Sequence, residues 1–212
     1  MKKIGIIGSG IVAKTLASGF VKHGYQVMIG SRDKAKHDEL EKLTGAKAGT
    51  FEEAAAFGEM NVLSVKGLVA ESVIASLTEQ LAGKTVMDTS NPIAELPPDN
   101  GVIHFFTTFD SSLMERLQKK APEVNFVKAF SCVGSHFMID PKFESKPTMF
   151  ICGNNANAKK DVVSLLDKIG WETEDMGQVE AARAIEPLCM LWCIPGMREN
   201  KWNHAFKLLK SK

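Results

Sequence analysis

Along the chain, apolar residues fall into short dense runs separated by stretches in which they recur every three or four positions, and the two patterns alternate. Lys3 to Ile7 is a β-branched run that stops at Gly8-Ser9-Gly10, after which Ile11, Leu16 and Phe20 keep helical spacing up to Gly24. The pattern predicts a strand, a glycine turn and a helix. Gln26 to Ile29 supplies a second strand ending at Gly30-Ser31-Arg32, which completes a βαβ unit of about thirty residues. Asp33 is placed to cap a polar helix reaching Leu43, and Thr50 with Glu53 forms a capping box for a helix to Phe57. Strand-like runs recur over 61–65 and 84–88, with a helix over 71–81 between them. Downstream, the pattern predicts a helix over 111–120, a strand over 125–130, an irregular segment over 131–146, a strand over 148–152, a helix over 156–169 and a strand over 171–175. A helix from Val179 should end before Pro195, and a last helix over 200–210 should close the chain.

Strands that alternate with helices imply a parallel sheet covered on both faces. The fold expected is α/β: a Rossmann-type, doubly wound, mostly parallel sheet with a small C-terminal α/β and helical extension. The turn-rich connection that begins at Ser90-Asn91-Pro92 follows a strand, at the edge where such sheets bind ligands. The irregular segment after residue 130 is longer than compact domains usually leave without a function.

Composition narrows the classes. A chain of 212 residues, 44% hydrophobic and 24% charged, has the balance of a compact globular protein. Its 26 basic and 25 acidic residues leave a net charge of +1, so no global field recruits nucleic acid or an anionic membrane, and any anion must be bound locally. No apolar run approaches the ~20 residues that cross a bilayer, and Met1-Lys2-Lys3 leads into a run too short for a secretion signal, so no membrane association and a cytoplasmic setting are expected. Cys132, Cys152, Cys189 and Cys193 form no Cys-x-x-Cys motif and read as reduced structural thiols; no metal is expected.

The first glycine turn carries the chemistry. Gly8-x-Gly10-x-x-Ala13 follows a strand and opens a helix, the context in which this pattern binds a dinucleotide. Gly8 permits the tight turn, Gly10 lets a pyrophosphate approach the backbone, and Ala13 keeps helix and strand close. The free N–H groups and positive end of the helix then meet the phosphates. At the end of the second strand, where NAD binding would place a carboxylate for the ribose hydroxyls, the chain has Ser31-Arg32. A hydroxyl and a guanidinium suit a 2′-phosphate, so NADP(H) is the expected cofactor. Asp33 comes one place late and serves as a cap. Lys34 and Lys36 add positive charge; a solvated helix face is the simpler reading for both, with Lys36 retained as a candidate phosphate contact.

These residues resemble the NADP oxidoreductases related to the NADPH-dependent reductase of the deazaflavin coenzyme F420. The resemblance runs through Ile4-Gly-Ile-Ile-Gly8-Ser-Gly10, Ile29-Gly30-Ser31-Arg32, Asp88-Thr-Ser-Asn91-Pro92, Val127-Lys128-Ala129-Phe130, Phe150-Ile-Cys-Gly153, Ala182-Arg183 and Glu186-Pro187. It ends at Ala205-Phe206-Lys-Leu-Leu209. The oxidoreductase domain of membrane metalloreductases looks similar too. The resemblance implies that Gly8, Ser9, Gly10, Ile11 and Val12 line the pyrophosphate, that Ser31 and Arg32 bind the 2′-phosphate, and that Asn91, Pro92 and Ala129 lie near the nicotinamide. Val65, at the end of the fourth strand, joins the cofactor contacts. Three positions depart from the family: Ser131 where Asn is common, Lys66 where strand four often ends in Pro, and Asn154-Asn155 where paired Asp often follows the Phe-x-x-Gly strand. The first two touch the expected reaction cleft.

Hydride transfer to a flavin-like ring asks mainly for stacking at short distance, and the cofactor carries the difficult chemistry. Two residues are candidate catalytic groups. His136 could donate to the acceptor's carbonyl or ring nitrogen, or be a plain loop histidine, and Lys66 could do the same or bind an acidic tail. Phe130, Phe137 and Met138 are either an apolar platform for a ring or core residues. The function expected is NADP(H)-dependent hydride exchange with a small-molecule redox acceptor: deazaflavin F420, or FMN or FAD. The alternatives are an NADPH reductase of a small carbonyl or imine, or a non-catalytic NADPH sensor. Residues 1–130 form the expected NADP-binding domain. Residues 131–212 supply the acceptor loop and C-terminal elements of the same unit, and the apolar run from Leu188 to Ile194 predicts a homodimer built on the last two helices.

Overall fold

A computed structural model of the chain describes residues 2–211. It opens as the pattern predicts, with β1 (Lys3–Ile7), α1 (Ile11–Lys22) and β2 (Gln26–Gly30). The Asp33 carboxylate caps a tight turn over Lys34–Lys36, accepting from the Ala35 N–H at 3.1 Å, and α2 (His37–Thr44) follows. Next come β3 (Lys47–Gly49), α3 (Phe51–Phe57), β4 (Met60–Leu63), α4 (Gly67–Ser76), α5 (Thr78–Leu81), β5 (Thr85–Asp88), α6 (Leu113–Lys120) and β6 (Asn125–Lys128). The last part holds β7 (Thr148–Ile151), α7 (Ala156–Lys168), β8 (Glu172–Asp175), α8 (Ala182–Ile185) and α9 (Leu188–Glu199).

Six parallel strands lie in the order β3-β2-β1-β4-β5-β6, and β7 and β8 form a two-stranded parallel sheet. One antiparallel bridge, Lys128 N–H to the Cys152 carbonyl at 3.0 Å, joins the small sheet to the edge of the large one. The expected doubly wound sheet with a C-terminal extension is therefore the fold. Burial on both faces explains the near-continuous apolar strands. Ile4, Ile6, Val62 and Val127 meet Leu16, Phe20, Val162 and Leu166 on one face, and Ile7, Leu63, Val86 and Phe126 meet Ile74, Leu113 and Leu117 on the other.

The structure corrects several elements. β3 is absent from the sequence reading: three residues, Lys-Ala-Gly, are too few to show a period, and only pairing with β2 makes them a strand. The helix expected over 71–81 starts at Gly67 and breaks at Leu77, after a last turn in which the Ser72 and Ser76 hydroxyls donate to carbonyls within the helix. The strand expected to reach Phe130 stops at Lys128, because Phe130 takes a left-handed φ of 61° and its ring meets Trp171 edge-on in the core. The single helix expected from Val179 to before Pro195 is instead a tight turn over Val179–Ala181 followed by α8 and α9, and α9 runs through Pro195 to Glu199. The helix expected over 200–210 is irregular instead. Asn200, at φ 53°, stops α9, and the tail is then held by tertiary bonds: Trp192 Nε1 donates to the His204 carbonyl, and the Thr148 N–H to the Phe206 carbonyl. Trp202 also packs over Gly196, so packing overrides both the proline penalty of ~3 kcal/mol in α9 and the helical spacing of the tail.

α8 is tied to α6 by Arg183, whose Nε lies 3.0 Å and Nη2 2.5 Å from the Glu115 carboxylate, while Ser112 and Glu115 form the capping box of α6. The Arg183 hydrogen bond holds the Glu115 carboxyl at about 2. A carboxylate depressed in this way stabilises the fold above its unfolded pKa near 4.5 and loses that contribution as the pH falls toward 2. Because the pair is partly exposed, the expected contribution is no more than ~1 kcal/mol. Thermal melts should show wild type more stable than Glu115→Gln at pH 6, with the gap closing between pH 4.5 and 2.

Candidate functional site

Strand order reverses between β1 and β4, and it is outside the carboxyl ends of the strands at such a point that open parallel sheets bind ligands. Gly8 has φ 137°, and a Cβ on it would fall 2.1 Å from the Ser64 carbonyl oxygen, so the segment leaving β4 passes directly over a residue that must be glycine. Gly10 differs: a Cβ there would meet nothing within 4 Å. Its backbone starts α1 without a side-chain cap, and the first helical bond runs from Lys14 N to Gly10 O, so the N–H groups of Ile11, Val12 and Ala13 stay available. This is an open cradle for an anion at a helix start.

A cleft of about 470 Å³ extends from the cradle. It brings together Gly8, Ser9, Gly10, Ser31, Arg32, Lys36, Val65 and Lys66 from among the candidate residues, has the cap residue Asp33 on its wall, and adds Phe51, Ser64, Val69 and Val73. Sequence reasoning missed these four. Phe51 directly follows a cap, and Val69 and Val73 are one helical turn apart, which reads as ordinary core spacing. Ser31 is buried, and its Oγ accepts from the Asp33 N–H at 3.2 Å, so the hydroxyl shapes the turn that presents Arg32. The Arg32 side chain is exposed at the cleft. Lys36 lies 3.6 Å from the Asp33 carboxylate.

A second depression, about 320 Å³, shares Val65 and Lys66 with the first and adds Leu68, Thr89, Asn91, Ile93, Ala94 and Glu95. Lys66 Nζ reaches Glu95 at 3.2 Å across two exposed side chains. Asn91 donates to the Ser131 carbonyl at 3.4 Å, while Asn91 Oδ1 and Ser131 Oγ are buried without a hydrogen-bond partner among the described residues. Pro92 and Ala129 are buried, and the Ala129 N–H donates to the Asp88 carbonyl at 3.0 Å, so these two contribute backbone shape. Ile11 is 75% exposed at the start of α1, and Val12 packs partly on the core.

His136 lines neither depression; it is exposed on the turn after β6, with its ring 4.1 Å from that of Phe137. Phe130 and Met138 are core residues, and Phe137 is half-buried. All four cysteines are free, and burial pushes the Cys132 and Cys152 thiols up to about 12. Among the described residues no group of three His, Cys, Asp or Glu side chains is placed to hold a metal ion, and no helix is long and apolar enough to cross a membrane.

Residues 3–92 match the family described as NADP oxidoreductase coenzyme F420-dependent. The chain is 31% identical over 202 residues to the F420-dependent NADP reductase of Methanocaldococcus jannaschii, covering 89% of this chain and 90% of that protein. It is 29% identical over 197 residues to metalloreductase STEAP3 of Rattus norvegicus, covering 91% of this chain but 38% of that protein, so it spans well under half of that relative. Among solved structures, a protein of Arthrobacter sp. FB24 provisionally designated an F420-dependent NADP reductase superposes with a TM-score of 0.91 at 26% identity, covering 99% of this chain and 100% of that one.

Proposed function

The chain belongs to the coenzyme F420-dependent NADP oxidoreductase family and is an NADP-dependent oxidoreductase, and from that premise we propose that it exchanges hydride between NADPH and a deazaflavin or flavin-type acceptor. The observation that carries this reading is the pair of adjoining depressions with one common wall, Val65 and Lys66. Gly8, Ser9, Gly10 and the N–H groups of Ile11 and Val12 hold the pyrophosphate, and Ser31, Arg32 and Lys36 the 2′-phosphate. The open space at Gly10 and the cations at the far end of the cleft fit such a group. Val65, Asn91 and the backbone at Pro92 and Ala129 flank the nicotinamide. Bound NADPH supplies the hydride, and the chain's residues position its ring and exclude water from it.

The second depression, walled by Leu68, Ile93 and Ala94, takes the acceptor ring, and Lys66 exchanges Glu95 for an anionic group on that acceptor. His136 lines neither depression and has no part in this reading. In this reading residues 1–130 bind the cofactor in a cytoplasmic protein, while 131–212 complete the acceptor side and a homodimer seam at α9, where Leu191 and Met197 stand exposed. The metalloreductase relative adds ferric chelates to the acceptors worth trying.

NADPH oxidation followed with coenzyme F420, FMN, FAD and ferric chelates tests the reading. Turnover with F420 at least tenfold above the others supports the deazaflavin, and a preference for FMN or FAD makes the enzyme a flavin reductase. Tight NADPH binding without oxidation by any of them removes the proposal and favours a sensor. Sedimentation of the same preparation at micromolar concentration should show a dimer; a monomer removes the seam.

A further inference from the structure

Beneath the loop that carries Asn91, where β5 and β6 end, the core encloses three ionisable side chains. Asp88 and Lys128 are 0% exposed and Glu186 is 1% exposed. Lys128 Nζ lies 2.6 Å from Asp88 Oδ2 and 2.9 Å from Glu186 Oε1, and it donates to the Ser90 carbonyl at 2.9 Å. Asp88 Oδ1 accepts from the Ser90 N–H at 2.9 Å and from its hydroxyl at 2.6 Å. Glu186 accepts from the N–H groups of Leu113 and Met114, at 2.9 and 3.0 Å, at the start of α6.

Stability alone is a weak reason for such a cluster. Each buried ion forfeits several kcal/mol of hydration, and well-packed apolar residues of similar volume stabilise a core as well or better. What the cluster does fix is one short piece of backbone. Ser90 is bound through its N–H, its hydroxyl and its carbonyl, and the preceding Thr89 is tied to the Leu63 carbonyl through both N–H (3.1 Å) and Oγ1 (2.9 Å). The next residue is Asn91. Burial by itself would push the Lys128 ammonium down, but the two carboxylates outweigh it and hold it above the ordinary lysine value, so the donor to Ser90 stays charged.

We propose that Lys128 is a positioning residue for the cofactor: through the Ser90 carbonyl it sets the place of Asn91 and Pro92 against the nicotinamide half of NADP(H), while Glu186 ties the same brace to α6 and the C-terminal helices. The inference rests on the placement of the nicotinamide beside Asn91. It predicts a split between the two halves of the cofactor, which calorimetry can read without any acceptor by comparing NADPH with 2′,5′-ADP, a ligand that lacks the nicotinamide.

Wild type should bind NADPH more tightly than 2′,5′-ADP. Lys128→Met should lose at least about tenfold in NADPH affinity while 2′,5′-ADP stays within about twofold, the size expected for a lost charge-assisted bond. Because Lys128→Met leaves two carboxylates facing each other in the core and can unfold the chain, Asp88→Ala, which removes the acceptor of both the N–H and the hydroxyl bond of Ser90, provides a second arm. One carboxylate still faces the ammonium in that variant, and the NADPH preference should fall at least about threefold, less than for loss of the ammonium itself. Glu186→Gln should lower Tm and leave the preference within about twofold, since the Ser90 bonds remain. Lower Tm with an intact preference in Lys128→Met, or in Asp88→Ala if the first variant does not fold, would overturn the inference, provided that Asn91→Ala does reduce the preference. An unchanged preference in Asn91→Ala, or a wild type that binds both ligands equally, would instead remove the nicotinamide placement and the inference with it.

Discussion

Arg32→Ala should weaken NADPH binding by about 10- to 100-fold and leave NADH within about twofold, because charge-assisted bonds to a phosphate contribute ~1.5–3 kcal/mol and NADH has no 2′-phosphate to lose. The guanidinium is well placed for that role. It stands exposed at the end of the cleft, and among the described residues no carboxylate within ion-pair distance competes for it. Asp33, the nearest acid in sequence, is spent on the Ala35 N–H and on Lys36. Arg32→Lys should recover only part of the affinity, since a single ammonium cannot reproduce the two-pronged geometry. Fluorescence titration of both nucleotides against wild type and the two variants measures all of this. Equal affinities of wild type for NADPH and NADH would remove Arg32 and Ser31 from the cofactor site.

The two glycines of the turn should fail in opposite ways. Gly8→Ala should destabilise the fold by ~2–5 kcal/mol, the sum of a strained left-side backbone and an overpacked contact, because its φ is 137° and its Cβ would overlap the Ser64 carbonyl. Gly10→Ala should leave Tm within a degree or two, since φ is −75° and the Cβ would point into open space. That space is where the pyrophosphate must approach the N–H groups of α1, so Gly10→Ala should still lose at least about tenfold in NADPH affinity through lost or lengthened hydrogen bonds. Denaturant unfolding beside NADPH titration separates the two effects. A Gly10→Ala protein that binds NADPH as well as wild type would place the phosphates elsewhere.

The start of the chain was legible because every signal there is local. The run from Lys3 to Ile7, the Gly8-Ser9-Gly10 turn and the spacing of Ile11, Leu16 and Phe20 specify strand, turn and helix without help from the rest of the protein. The capping box at Thr50 and Glu53 was legible for the same reason: both bonds form within four residues. The end of the chain was not. Residues 200–210 carry helical spacing, but the bonds that decide their path go to Trp192 and Thr148, and no local pattern encodes a partner that far away. Pro195 misled in the opposite direction, since packing of Gly196 under Trp202 keeps α9 going where the proline alone would stop it. Asp88, Lys128 and Glu186 could be read as parts of a family pattern. Their meeting inside the core depends on β5, β6 and the C-terminal helices arriving together.

The bridge between Lys128 and Cys152 and the tail lying across Thr148 have a bearing on solubility. A parallel sheet ends in two rows of unpaired backbone groups that invite another chain to add a strand. On one side the hazard is blunted by brevity, since β3 is three residues long. On the other, β6 meets the small sheet at the bridge, and the Phe206 carbonyl and Leu208 N–H occupy Thr148 in turn. Residues 206–208 therefore act as a selvedge over one stretch of that border, leaving fewer of its backbone groups open to an added strand.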